Sequence, residues 1–207
     1  MAQKKIQKVK KGPKKGFFEV VSGLTATKMQ IYAGEIEELD GRTVKLDLSR
    51  NLRGKSVDLK LKISVVDGKA EAKPVEMKIV SSHIRKVMRR GIDYVEDSFI
   101  VNCRDKKAVI KPFLITRKKV SRAVRKALRE MAKKYLQGYV KARTADELFS
   151  ELLSGKIQKQ MSLKLKKIYP LALCEIRIFE ITGDTELKAE EVGEVVEDSE
   201  EEKEISK

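Results

Sequence analysis

The chain has 207 residues, enough to bury a hydrophobic core without disulfides or metal ions. It holds 46 Lys and Arg residues against 31 Asp and Glu residues, which gives a formal net charge of +15. Neither of its two cysteines, Cys103 and Cys174, has a Cys or His neighbour at metal-ligand spacing, which argues for a reducing cytosol and against a zinc site. The apolar runs are too short to span a bilayer, and no signal-peptide pattern follows the Lys-rich N-terminus. The sequence therefore predicts a soluble protein that does not bind membranes.

Charge divides the chain into three predicted regions. Residues 1–16 hold seven lysines and no acid, which predicts a flexible basic arm that orders only against a partner. Residues 17–183 are predicted to form a single α+β domain, and residues 184–207 a disordered acidic tail. Residues 186–207 contain ten acids and three bases, a balance of −7, so the rest of the chain carries +22. A body this basic repels itself, and nucleic acid is therefore the expected partner.

From about residue 31 to residue 116 the pattern indicates β-strands. Residues 57–65 alternate apolar and polar side chains, as in a strand with one buried face. Asp40-Gly41 and Asp67-Gly68 predict two hairpin turns, and Pro74 indicates an edge strand. A short helix is expected next, capped by Ser81 or Ser82 and ended at Gly91. Residues 99–101 and 108–115 then predict a third strand pair, with residues 104–107 as its turn.

The C-terminal part is predicted to be helical. Apolar side chains at helical spacing predict an amphipathic helix over residues 118–136, ending near Gly138. A second helix begins with the capping box 144–147, a third spans residues 156–167, and a last strand runs through Ile181. Strands, then helices, then a strand favour an α+β fold. We expect a β-rich body, either barrel-like or a strongly curved antiparallel sheet, with packed C-terminal helices.

Two of the predicted helices carry clustered cations. Residues four, seven and eleven apart project from one side of a helix, which we expect to lie opposite the apolar stripe. Glu130 is the only acid between Arg117 and Lys134, and like charges this close disfavour a helix unless an anion compensates, which weighs against a merely solvated surface. Arg-rich faces suit structured RNA. The predicted RNA-binding residues, in the arm and around the two helices, are Lys4, Lys5, Lys8, Lys10, Lys11, Lys14, Lys15, Arg85, Lys86, Arg89, Arg90, Arg117, Lys118, Lys119, Arg122, Arg125, Lys126, Arg129 and Lys133.

Catalytic chemistry has little support in the sequence. There is no Gly-rich phosphate loop, and the single histidine, His83, has no visible nucleophile or carboxylate partner, so we read it as structural or RNA-facing. The best enzyme hypothesis is a metal-dependent nuclease that uses Asp97 and Asp105-Lys106 on a hairpin. Phe17-Phe18, after the arm, is expected to enter the core, with stacking on bases as the alternative. We predict a protein that is not an enzyme and needs no cofactor or metal.

Several blocks resemble the S3Ae family of archaeal and eukaryotic small-subunit ribosomal proteins. They are 155–157, 166–171 and 175–177, preceded in the same order by an Arg-rich helix at 84–90, a strand pair around Asp105-Lys106 and a basic helix from Thr116. The resemblance implies a structural, ribosome-bound protein of the cytoplasm that binds small-subunit rRNA on the platform near the mRNA exit. It also implies neighbouring ribosomal proteins, and mRNA near the exit, as partners. A free architectural protein that binds DNA and RNA alike is the alternative function.

Overall fold

The computed structural model describes residues 15–25, 27–52 and 54–184. Its strands are Gly16–Ser22 (β1), Lys28–Ala33 (β2), Thr43–Asp47 (β3), Val57–Val66 (β4), Lys69–Ile79 (β5), Tyr94–Glu96 (β6), Phe99–Asn102 (β7), Lys106–Thr116 (β8) and Leu171–Asp184 (β9). Its α-helices are Ser81–Val87 (α1), Arg122–Lys141 (α2), Ala145–Ser154 (α3) and Lys156–Leu165 (α4), with a 3-10 turn at Glu37–Leu39. The predicted arm, except Lys15 and Gly16, and the tail after Asp184 lie outside the described residues.

All nine strands form one open, mixed sheet. The order across it is β2-β1-β5-β9-β8-β6, while β4 pairs with β3 and β5, and β7 pairs with β8. Only the β1–β5 pair is parallel among the described pairs. The α+β class is thus confirmed, and so are the C-terminal helices. The sheet does not close into a barrel, and β1 makes it mixed.

One of the two predicted hairpins forms. Asp67 and Gly68 have φ of 51° and 72°, and Val66 pairs with Lys69 across the turn between β4 and β5. The other prediction was wrong, because β3 pairs with β4 and β2 pairs with β1. Gly41 does turn the chain, with φ of 73°, but its N–H donates to Ile63 O at 3.0 Å. The Asp40-Gly41 turn therefore docks on β4 and does not join two neighbouring strands.

Pro74 does not mark an edge strand. β5 pairs with β4 along one side, and on its other side with β1 at residues 70–72 and with β9 at residues 76–78. Pro74 lies between these two partners and opposite a register shift in β4. Where a strand changes partners opposite a bulge, the residue between the two partners need not donate a backbone N–H to a neighbouring strand. A central strand therefore tolerates proline there.

The helix bounds also differ from the predictions. α2 begins at Arg122 because Ser121 Oγ accepts from Val124 N, and it runs through Gly138 to Lys141. Lys118 therefore belongs to the preceding loop. α1 ends at Val87, before Gly91, and neither serine caps it, since Val80 holds the N-cap position. The capping box of Thr144 and Glu147 is confirmed at the start of α3, and the third strand pair forms as β7 and β8.

The hydrophobic core lies between the sheet and helices α2 to α4. Leu128 and Leu136 of α2 are fully buried, and Phe149 of α3 meets Phe179 of β9 edge to face at 4.9 Å. A polar cluster joins the three helices: the Glu151 carboxylate accepts from the Tyr139 hydroxyl at 2.8 Å and from Lys156 Nζ at 2.8 Å. Burial favours the neutral Glu151 carboxyl, but these two hydrogen bonds and the positive charges of Arg143 and Lys156 together lower its pKa.

Leu128→Ala should destabilise the fold by about 2 to 5 kcal/mol, because it leaves a cavity between α2 and the sheet. The measurement is urea unfolding followed by circular dichroism. Met131→Ala is the matched control, since Met131 is on the same helix and exposed. Equal losses in the two variants would contradict the assignment of the buried face.

Alkaline stability should depend on the two cysteines. Burial raises the pKa of Cys103 from its ordinary 9.0 to about 11 and that of Cys174 to about 12. Between pH 9 and the raised pKa of each thiol, the unfolded chain has lost thiol protons that the folded chain keeps. The free energy of unfolding should therefore fall as pH rises above 9. Urea titrations from pH 8 to 11 should show a shallower fall in the Cys103→Ala, Cys174→Ala variant. An unchanged slope would argue against this source.

Candidate nucleic-acid interface

Two basic segments that are distant in sequence lie side by side. Tyr94 of β6 pairs with Ile115 of β8, so the residues before β6 are neighbours of the residues after β8. The first segment ends α1 and the second begins the loop to α2, and the cationic side chains of both are exposed. We call this surface the basic junction; its residues are Arg85, Lys86, Arg89, Arg90, Arg117, Lys118, Lys119 and Arg122.

Hydrogen bonds between Asp93 and Thr116 hold the junction together. Thr116 N donates to Asp93 O at 2.9 Å, and Asp93 N donates to Thr116 Oγ1 at 3.1 Å. The Thr116 hydroxyl also lies 2.7 Å from Lys118 O, and Asp93 Oδ2 accepts from Val120 N at 2.9 Å. Both ends of the basic loop are thus fixed. The sequence analysis missed this pair, because no local pattern links positions 23 residues apart.

A cationic stripe continues from the junction along α2. Arg122, Lys126, Arg129 and Lys133 are exposed and follow one another at spacings of four, three and four residues. Lys133 lies near β7, since its Nζ is 5.9 Å from the centroid of the Phe99 ring, so this end of the stripe does not lie opposite the buried face as predicted. Lys126 is 3.8 Å from the Glu130 carboxylate, but both side chains are exposed, so the pair is weak, and Glu130 offsets one of the four positive charges.

Arg125 differs from the other predicted α2 residues. It is half-buried, and its Nε atom is buried without a hydrogen-bond partner in the described part of the chain. Its place in the helical period explains this, because Arg125 lies three residues before the fully buried Leu128. The prediction that Arg125 belongs to the exposed face was therefore wrong.

Near α1 the surface is concave. A groove of about 430 Å³ runs between α1 and the start of β9, and His83, Lys86 and Arg89 line it. Arg89 and Arg90 follow the helix, and Gly91, with φ of 86°, turns the chain back toward β6. His83 thus lies among cations at a groove, consistent with the structural or RNA-facing reading.

The nuclease hypothesis does not survive the geometry. Asp97 precedes β7 and Asp105 follows it, so the two carboxylates lie at opposite ends of the strand. Asp105 Oδ1 accepts from Ala145 N at 2.9 Å and so stabilises the first turn of α3. Residues 15–25, 27–52 and 54–184 contain no group of three His, Cys, Asp or Glu side chains that could hold a metal ion. Asp105 has a structural role.

Phe17 and Phe18 point to opposite faces of β1. Phe18 packs against the core, as expected for the pair, whereas Phe17 is 71% exposed and its ring lies 5.2 Å from that of Tyr32 on β2. The prediction of burial was wrong for Phe17, because neighbouring residues of a strand alternate between faces. Lys15 is exposed beside this aromatic pair; the remaining predicted arm lysines lie outside the described residues.

Comparison with known proteins agrees with the resemblance in the sequence. The model of the ribosomal S3Ae family matches residues 3–184. The small ribosomal subunit protein eS1 of Nanoarchaeum equitans is 29% identical over 148 residues, which are 69% of this chain and 75% of that protein. The protein of the same name from Methanothermobacter thermautotrophicus is 28% identical over 132 residues, which are 63% and 68% of the two chains.

The family match extends over the basic junction, the α2 stripe and the sheet that supports them. Within the described part of the chain, no helix is long and apolar enough to cross a membrane. Because the family model covers most of the chain, membership of this family explains the charge better than a nuclease or a free architectural protein does. The chain belongs to the ribosomal S3Ae family, and it is a structural ribosomal protein and not an enzyme.

Proposed function

We propose that this chain is a structural constituent of the small ribosomal subunit that binds rRNA through the basic junction and the α2 stripe. The observation that carries the proposal is the Asp93–Thr116 contact, which turns two separate cationic segments into one exposed surface. The names of the relatives support the assignment to the small ribosomal subunit. In this role the protein is ribosome-bound in the cytoplasm and supports translation.

Charge and shape both suit an RNA backbone. Four cations follow α2 on one flank, as phosphates follow a strand of RNA, and the groove at α1 adds Lys86 and Arg89. Guanidinium groups can bind phosphate oxygens through two parallel hydrogen bonds or stack on unpaired bases. The exposed Phe17 and Tyr32 rings offer a stacking surface, and Phe17 is two residues after Lys15 in the chain.

A position on the platform near the mRNA exit, with neighbouring ribosomal proteins and mRNA as further contacts, is also part of this proposal. It follows from the family resemblance alone. Cross-linking of the chain within intact small subunits tests it: cross-links to the 3′ region of the small-subunit rRNA are expected, and cross-links confined to other regions would reject it.

The triple variant Arg122→Gln, Lys126→Gln, Arg129→Gln should bind rRNA fragments more weakly without losing stability. Glutamine keeps good helix propensity, and the change relieves repulsion along the stripe. The plot of log affinity against log salt should become shallower by roughly two, because each cation that no longer binds a phosphate of a single strand reduces the slope by about 0.7. Filter binding at several salt concentrations and thermal unfolding measure both effects.

Lys60→Gln, Lys69→Gln, Lys78→Gln is the matched control, because it removes the same charge from exposed positions of β4 and β5. The control should lose less affinity and less salt dependence than the α2 variant. Equal effects would mean that only net charge matters, and a flat salt response of the unmodified protein would reject the electrostatic basis of binding.

Thr116→Val should weaken RNA binding although it removes no cation. Without the hydroxyl, Asp93 N and Lys118 O lose a buried partner, a change that typically costs about 1 to 3 kcal/mol. The loop of Arg117 to Lys119 should then become more mobile, which amide hydrogen exchange would detect. Thr43→Val, at an exposed position of β3, is the control. If Thr116→Val is less stable but keeps full RNA affinity, the contact does not position the interface.

A further inference from the structure

A second concave basic surface lies at the opposite end of the sheet from the α1 groove. It is a groove of about 400 Å³ lined by Lys62 of β4, Lys73 of β5 and Lys106 of β8. Its wall includes Ile181, Thr182 and Gly183, which lie near the end of β9, where the described residues end. We call it the β9-end groove. Among the side chains that the structure describes there, Asp40 is the one carboxylate, and its Oδ1 accepts from Val65 N at 3.3 Å.

Two of these lysines face each other, and neither forms an ion pair with a described residue. Lys62 and Lys73 are directly opposite in the antiparallel β4–β5 register, and both are exposed. Like charges in this position destabilise a sheet. Neither lysine has a carboxylate within 4.0 Å among the described residues, whereas Lys45 on neighbouring β3 pairs with Asp58 at 2.8 Å. The pair is therefore a site where an anion would stabilise the fold.

A polyanion of the chain itself begins beside this groove. Asp184, the last residue of β9, pairs in register with Lys106, and residues 186–207 follow with ten acids against three bases. A segment tethered at the edge of its binding site has an effective concentration in the millimolar range, so weak ion pairs suffice to hold it. We propose that the β9-end groove binds the chain's own acidic C-terminal segment.

The occupied groove lowers the affinity of the body for loosely bound polyanions. The segment neutralises part of the +22 carried by the rest of the chain, and it competes with RNA for Lys62, Lys73 and Lys106 while leaving the basic junction accessible. This consequence for RNA rests on the proposed function, whereas occupation of the groove does not.

Zero-length cross-linking of the full-length protein tests the occupation. A carbodiimide joins a lysine amine to a carboxylate only where the two are in contact. Mass spectrometry should find the C-terminal carboxylates joined mainly to Lys62, Lys73 and Lys106, and a mixture of light and heavy isotope-labelled protein should show these links within single chains. High salt should abolish them. Links spread evenly over exposed lysines such as Lys159, Lys166 and Lys167, or links between chains, would overturn the proposal.

A double-mutant cycle tests the consequence with two sets of changes. Neutralising the C-terminal segment should tighten binding of single-stranded polyuridine several-fold, and this gain should shrink in a Lys62→Gln, Lys73→Gln, Lys106→Gln background. An undiminished gain there would overturn the groove as the binding site. The changes that neutralise the segment are Glu197→Gln, Asp198→Asn, Glu200→Gln, Glu201→Gln, Glu202→Gln and Glu204→Gln.

RNA is the alternative occupant of the groove. If an rRNA fragment protects the three groove lysines from acetylation while neutralising the segment changes nothing, the groove is an RNA site and the proposal fails. The failure of the proposed function looks different, because it would appear as normal RNA affinity in the α2 triple variant, whatever the cross-links show.

Discussion

The fold depends on the pairing of its last strand with two strands that precede it by many residues. β9 binds β8 along nearly its whole length and β5 near residue 77, and so joins the N-terminal part of the sheet to β6, β7 and β8. In the described structure no other strand makes that connection. Phe179 lies where β9 meets both neighbours and contacts Phe149 of α3, so the helices have a complete surface to pack on only once β9 is in place. Contacts this distant in sequence are slow to form, since loop closure precedes any gain.

That dependence explains which features the sequence could reveal. The Asp67-Gly68 hairpin, the Thr144 capping box and the amphipathic pattern of α2 are local, and their side chains act on neighbouring backbone. The partner of a strand is not local. Asp40-Gly41 has the residues of a hairpin turn, yet hydrogen bonds to β4 decide its role, and Pro74 is buried in a central strand because β1 and β9 meet beside it. The insertion of β9 between β5 and β8 has no signature in the chain.

The candidate interface shows the same division. Exposure of the α2 cations could be predicted from spacing, apart from Arg125, whose position in the helical period places it near buried Leu128. Arg125 was predicted to be exposed because it is charged, although its helical spacing from Leu128 indicates partial burial. What spacing could not show was that Arg89 and Arg117 belong to one surface, because their proximity depends on the β6–β8 register and on Asp93 and Thr116. Neither of these two residues carries positive charge, yet both determine where the charge lies.

If the proposed function is correct, fold stability and RNA recognition use largely separate groups. Two largely buried carboxylates are paired within the protein, Glu175 with Lys55 Nζ at 2.6 Å and Glu151 with Tyr139 and Lys156, where an unpaired charge would be costly. The cations of the basic junction and the α2 stripe are exposed, where desolvation is small and a phosphate can reach them. Repulsion among these cations lowers the stability of the free protein, and packing of the core offsets this loss. The same repulsion makes binding of a polyanion favourable, because each bound phosphate removes an unfavourable interaction as well as adding a favourable one. A family member with fewer exposed cations would be more stable alone and would gain less from RNA.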